Sequence, residues 1–130
     1  MLECGLAIVA KQRKSAREVE AFTLVGDVTG CTAIMVDDLT TTAGTLCSAA
    51  KLLKDTGAGD IYAAVCHATI TEMGIDRLKK SPIKELIVTD TVPLIDARGF
   101  PFTVLSVADL LGEAILRIHE NQSVTSLFKS

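Results

Sequence analysis

Tryptophan is absent from these 130 residues, and aromatic side chains make up only 4% of them, which leaves little surface for stacking on nucleic-acid bases. A basic field is missing as well. Thirteen Lys and Arg against 16 Asp and Glu give a net charge of -3, so nothing global draws the chain to nucleic acid or to an acidic membrane surface. No apolar run approaches the ~20 residues that a membrane-spanning helix needs, and no membrane association is expected. The start, Met1-Leu2-Glu3-Cys4, has no basic stretch ahead of its first apolar run, so no secretory leader is expected and a cytoplasmic setting is the default. Cys4, Cys31, Cys47 and Cys66 are widely spaced, form no C-x-x-C pair, and have only His67 as a neighbouring imidazole. That spacing argues against zinc and predicts reduced, mostly buried thiols.

What is present is a core: 48% of the residues are hydrophobic, enough for one compact domain over residues 1–130. Short apolar runs recur at Leu6–Val9, Ala33–Val36, Ile61–Val65, Leu86–Val88 and Phe102–Leu105. They lack polar alternation, the mark of strands covered on both faces of a parallel sheet. Helical spacing lies between them. Leu46, Ala49, Ala50 and Leu53 follow i, i+3, i+4, i+7, with Gly57 placed to end that helix in the left-handed region. Val107, Leu110, Leu111, Ala114, Ile115 and Ile118 repeat the pattern behind Ser106, which reads as an N-cap with Asp109 three residues on. A weaker helix is predicted from about Thr71 to Lys80, stopped at Ser81-Pro82. Strands alternating with helices predict an α/β, doubly wound, mostly parallel sheet flanked by helices. The polar stretch from Lys11 to Phe22, with Arg13, Lys14 and Arg17, interrupts this rhythm and reads as a flexible flap after the first strand.

In such sheets ligands bind beyond the carboxyl ends of the strands. The loop Val36-Asp37-Asp38-Leu39-Thr40-Thr41-Thr42-Ala43-Gly44-Thr45 leaves one strand and opens a helix there. A helix N-terminus offers unpaired amides and partial positive charge to a phosphate. Gly44 permits close backbone approach, and the Thr42 and Thr45 hydroxyls add donors. Asp37 and Asp38 can accept from vicinal sugar hydroxyls or hold Mg²⁺. A Ser/Thr/Asp-rich turn often serves only to cap its helix. Two adjacent carboxylates at the end of a buried strand favour binding, because like charges at one spot are costly without a cation or polyol to meet them.

This decapeptide resembles the phosphoribosyl pyrophosphate (PRPP) loop of the type I phosphoribosyltransferase fold, a Rossmann-like architecture. The segments Leu6–Arg13, Val25–Val28, Ser81–Pro93, Glu113–Glu120 and Ser123–Phe128 extend the resemblance over nearly the whole chain, to the C-terminal half of the ribose-phosphate pyrophosphokinase (PRPP synthetase) family. The resemblance implies diphosphoryl transfer from ATP to the anomeric hydroxyl of ribose 5-phosphate, giving PRPP and AMP with Mg²⁺. It implies that Asp37 and Asp38 hold the ribose hydroxyls and the metal, that Thr41, Thr42, Ala43, Gly44 and Thr45 bind the sugar phosphate, and that Lys11 and Arg13 are catalytic. A closing cationic flap suits a reaction that is mostly positioning and charge neutralisation. The resemblance further places Ser123, Val124, Thr125 and Phe128 at a regulatory nucleotide or phosphate site between subunits, and it implies a homo-oligomer.

Three positions depart from the family pattern. Thr41 stands where a carboxylate is usual, Gln12 replaces an arginine, and Ala10 replaces an acidic residue. The family's preceding domain, which supplies much of its ATP site, has no counterpart in the sequence, and the chain by itself is expected to bind ribose 5-phosphate without turning over ATP. Two other readings keep the fold: a non-catalytic subunit associated with the synthetase, and a phosphoribosyltransferase consuming PRPP, which would need a hood segment for its base. His67 and Asp90, at strand ends, are candidates to face the same crevice, though a lone histidine at a strand end more often makes a structural hydrogen bond. Cys47 reads as core, since no base accompanies it.

Overall fold

The computed structural model describes residues 4–12 and 21–128. Two short strands, β1 (Ile8–Gln12) and β2 (Ala21–Val25), pair antiparallel with Ile8 opposite Val25. Four further strands form a separate sheet in the order β3 (Ala33–Thr40), β4 (Ile61–Ala68), β5 (Ile83–Thr89) and β6 (Phe102–Leu105), all parallel. Helices α1 (Gly44–Asp55) and α2 (Glu72–Lys79) make the first two crossovers, and α3 (Ala108–His119) follows β6. A single 3-10 turn, Thr125–Phe128, ends the described chain. The α/β class with a parallel sheet flanked by helices therefore holds.

The periodicity expected for α1 is the one observed: Leu46, Ala49, Ala50 and Leu53 are its buried residues, and Gly57 turns the chain out at φ 97°. Thr71 caps α2 by accepting from the Gly74 amide at 3.2 Å, so the third helix runs where its pattern predicted. Burial of Leu46, Leu53, Ile61, Ile75, Leu78 and Leu86 builds one continuous core between these helices and the sheet. Each fully buried aliphatic side chain contributes about 1.5–3 kcal/mol from removal of its apolar surface from water.

Four local expectations change. Leu6–Val9 does not enter the parallel sheet: β1 instead forms a two-stranded ribbon with β2, because the chain returns alongside it without the crossover that parallel pairing requires. Ser106 does not cap α3. Its N-cap is Val107, and the Ser106 hydroxyl and the Val107 amide both donate to Asp90, at 2.5 Å and 2.9 Å. None of the four thiols is buried: Cys4, Cys31 and Cys66 are exposed and Cys47 is half-buried. The sheet, finally, is covered on one face only among the described residues. Ala33 and Met35 of β3 pack on the core, whereas Ile34 is 56% exposed and Val36 80%.

Candidate functional site

The carboxyl ends of β3 and β4 and the start of α1 bring the motif together. β3 runs straight through the acidic pair as far as Thr40, so pleating sends Asp37 and Asp38 to opposite faces of the strand. Asp37 follows Ala33 and Met35 on the core side and is half-buried; Asp38 follows Ile34 and Val36 and is exposed. Each uses one carboxylate oxygen locally. Asp37 Oδ1 accepts from the Asp38 amide at 3.0 Å, and Asp38 Oδ1 accepts from the Leu39 amide at 2.7 Å. Among the described residues neither carboxylate meets a Lys or Arg.

Past Thr40 the chain turns through Thr41 and Thr42 into Ala43, which takes the left-handed conformation at φ 53° and ψ 13° while 2% exposed. A non-glycine residue is strained there by about 1–2 kcal/mol. The turn sets the start of α1 at Gly44, with no side chain capping it. The first intrahelical amide bond is Cys47 to the Ala43 carbonyl, at 2.9 Å. The amides of Gly44, Thr45 and Leu46 have no acceptor among the described residues, which makes the helix start a ready donor set for an anion.

The carbonyls of the same turn are all engaged. The Thr71 amide donates to the Thr41 carbonyl at 3.0 Å, the Thr69 hydroxyl donates to the Thr40 carbonyl at 3.3 Å, and Arg77 Nη1 donates to the Thr42 carbonyl at 3.1 Å. The Thr41 hydroxyl is bonded to that of Thr69 at 3.2 Å. Gly74 lies so close that a Cβ added to it would sit 2.9 Å from the Thr41 carbonyl oxygen and 2.8 Å from Ile70 Cγ1. The loop is thus clamped from beneath by the β4–α2 segment, with its amides left outward. Sequence reasoning missed Thr69, Thr71, Gly74 and Arg77. No spacing in the sequence links them to a loop some thirty residues away; the parallel pairing of Thr40 with Ala68 does.

Gly44 makes room for a neighbour. A Cβ there would meet Arg77 Nη1 at 3.2 Å, so its lack of a side chain leaves the guanidinium room beside the helix start. His67 lies on β4, exposed, with Nδ1 2.8 Å from the Thr91 hydroxyl. Asp90 is tied to the start of α3 and held below the ordinary aspartate range by its bonds from Ser106 and then Val107. Cys47 packs against the core, where burial raises its thiol. Lys11 is on β1, its side chain outside the described residues, and Arg13 lies outside them entirely. Ser123, Val124, Thr125 and Phe128 occupy the turn after α3. There Arg117 donates to the Ser123 carbonyl at 3.2 Å and to the Ser126 hydroxyl at 2.7 Å, and Phe128 is 78% exposed. No cluster of three or more His, Cys, Asp or Glu suited to a metal exists among the described residues.

Comparison with known proteins bears on the family and the fold. Residues 7–129 match the family model described as the phosphoribosyl synthetase-associated domain. A ribose-phosphate pyrophosphokinase of Gloeobacter violaceus is 51% identical over 128 residues, which is 98% of this chain and 39% of that protein. The chloroplastic ribose-phosphate pyrophosphokinase 2 of Arabidopsis thaliana is 46% identical over 97% of this chain and 32% of its own length. The crystal structure of phosphoribosylpyrophosphate synthetase from Mycobacterium smegmatis superposes with a TM-score of 0.75 at 37% identity, covering 88% of this chain and 37% of that one. The chain spans about two fifths of the length of the relatives it matches. With nearly its whole length matched, it belongs to the phosphoribosyl synthetase-associated domain family.

Proposed function

We propose that residues 1–130 form one phosphoribosyltransferase-like domain that binds ribose 5-phosphate for a ribose-phosphate diphosphokinase, the reaction in which the sugar's anomeric oxygen attacks the β-phosphorus of ATP and AMP departs, leaving PRPP. The observation that carries this is the row of amides at Gly44, Thr45 and Leu46, unbonded among the described residues, one turn after a strand that carries near its end two carboxylates without a cationic partner among those residues. The amides and the Thr42 and Thr45 hydroxyls receive the 5-phosphate; Asp37 and Asp38 accept from the ribose hydroxyls. Because the two acids leave opposite faces of β3, they serve different edges of the ligand rather than one point. Thr41 presents its backbone, its hydroxyl being engaged by Thr69.

Mg²⁺ fits this site only as an ion shared with substrate. A single carboxylate with one oxygen left over, completed by substrate phosphates, matches a usual Mg²⁺ arrangement, and not an all-protein cage. Asp37 or Asp38, on opposite faces of β3, would each be able to hold such an ion, and it would supply charge neutralisation at the phosphates. Lys11 and Arg13, on and just beyond β1, are assigned to the transferring phosphates, where cationic side chains stabilise developing charge. Ser123, Val124, Thr125 and Phe128 are assigned to the regulatory contact.

Calorimetry of the chain with ribose 5-phosphate, with and without Mg²⁺, tests the proposal. The expected result is saturable binding that an Asp37→Asn, Asp38→Asn variant loses by about 10–100-fold, the scale of one or two hydrogen bonds to a charged acceptor. Equal binding by both proteins, with unchanged circular dichroism, would remove the acids from the site. Engagement of Thr41 where the family has a carboxylate also favours a second reading, an associated subunit that keeps the fold without turnover.

A further inference from the structure

The hydroxyl protons at the carboxyl edge of the sheet have fixed destinations. A threonine hydroxyl carries one proton and two acceptor lone pairs, whereas a carbonyl can only accept. The Thr69 hydroxyl donates to the Thr40 carbonyl at 3.3 Å, which places its single proton. In its 3.2 Å contact with the Thr41 hydroxyl, Thr69 is therefore the acceptor, and the Thr41 proton points inward. The same device recurs along the edge. The Thr71 hydroxyl donates to the Thr41 carbonyl at 3.4 Å, and those of Thr89 and Thr91 both donate to the Cys66 carbonyl, at 2.6 Å and 3.0 Å.

Beyond its backbone, Thr41 thus turns outward oxygen lone pairs alone. Its side chain is exposed, and in the chain it stands between the strand that carries Asp37 and Asp38 and the outward amides of Gly44, Thr45 and Leu46. Nothing among the described residues takes the protons of the Thr42 and Thr45 hydroxyls, which stay available to a phosphate. An outward lone pair does the opposite: it repels a phosphate oxygen and attracts a hydroxyl. The turn is sorted by polarity, with donors where α1 begins and an uncharged acceptor just before them. Thr41 supplies that acceptor without the negative charge of the carboxylate usual in the family, and so adds nothing to the repulsion between Asp37 and Asp38.

We propose that Thr69 is a positioning residue: by taking the Thr41 proton it makes Thr41 a neutral acceptor for a ring hydroxyl of the sugar phosphate, and so favours the sugar phosphate over a bare phosphate ion. This rests on the reading of the loop as a ribose 5-phosphate site. Without the Thr69 hydroxyl, the Thr41 proton is released to turn outward, towards phosphate oxygens and against the incoming sugar hydroxyl.

Titration calorimetry with two probes, ribose 5-phosphate and inorganic phosphate, tests this on wild type, Thr69→Val, Thr69→Ser, Thr41→Val and the Thr41→Val, Thr69→Val double variant. Thr69 is exposed and valine has nearly its shape, and circular dichroism checks that the fold is kept. Thr69→Val is expected to weaken ribose 5-phosphate about three- to tenfold, the scale of one neutral hydrogen bond, while inorganic phosphate binds as before or more tightly. Thr69→Ser keeps the hydroxyl and is expected to match wild type. Thr41→Val is expected to lose as much as Thr69→Val, and the double variant no more than either, because both substitutions remove one shared interaction. With ribose 5-phosphate bound by wild type, three results overturn the positioning role and leave the site standing: Thr69→Val equal to wild type, equal losses for both probes, or additive losses in the double variant. A wild-type chain that binds neither probe overturns the site itself, and the role of Thr69 with it.

Discussion

Arg77 is the residue whose role was least visible beforehand. Its guanidinium reaches from α2 to the Thr42 carbonyl and fills the space beside Gly44, so it fixes the turn that presents the α1 amides. Removing it by Arg77→Ala is expected to leave the far-ultraviolet spectrum unchanged and to weaken ribose 5-phosphate binding about fivefold, the worth of one exposed charge-assisted hydrogen bond. Titration calorimetry reads this, and an unaltered constant would show that the turn holds without the clamp. Asp37, Asp38 and the Thr42–Thr45 run could be proposed as a site from the sequence because their chemistry is contiguous in the chain. The clamp could not, because hydrogen bonds between Thr41 and Thr69 or Thr71 join positions that only strand pairing makes neighbours.

The elements divide the same way. α1 was legible to the residue, since one face of it is buried and the spacing of Leu46, Ala49, Ala50 and Leu53 reports that face directly. α3 has the same period, but the period says only that a helix has an apolar side, not that anything in the chain covers it. Two predictions belong here. Gly74→Ala would drive a methyl into the Thr41 carbonyl and Ile70, and the strain of about 1–3 kcal/mol exceeds the helix-propensity gain of up to ~1 kcal/mol. Urea unfolding should therefore show a lower midpoint at unchanged slope, with sugar-phosphate binding falling alongside. The second concerns Asp90, which anchors α3 through Ser106 and Val107 and is held below its ordinary value of 3.8. A carboxylate lowered by folding stabilises the folded state above its unfolded value, and that contribution disappears as pH falls below 3.8 through the folded value. Amide exchange in the first turn of α3 should accelerate across that acid range in wild type, and Asp90→Asn should lack the acid step.

At the scale of the molecule, the chain matches about two fifths of the relatives' length, and the proposed reaction asks for an ATP site as well as a sugar site. The chain alone is expected to release no AMP from ATP and ribose 5-phosphate in a coupled assay, and to support release when combined with the remaining segment of a synthetase relative. Turnover by the isolated chain would overturn the first statement; persistent silence of the combination would favour the associated, non-turnover subunit. By itself the sequence determined the α/β class and the α1 face, because each is written in local periodicity, and it supplied the proposal of a phosphate loop, because that rests on adjacent residues whose chemistry needs no distant partner. Only the tertiary structure decided that β1 leaves the main sheet, that Asp37 and Asp38 part to opposite faces, that Arg77 and Gly74 serve the loop, and that one sheet face is bare among the described residues. Those outcomes depend on strand pairing, pleat and close approach between segments far apart in the chain, and no local pattern encodes them.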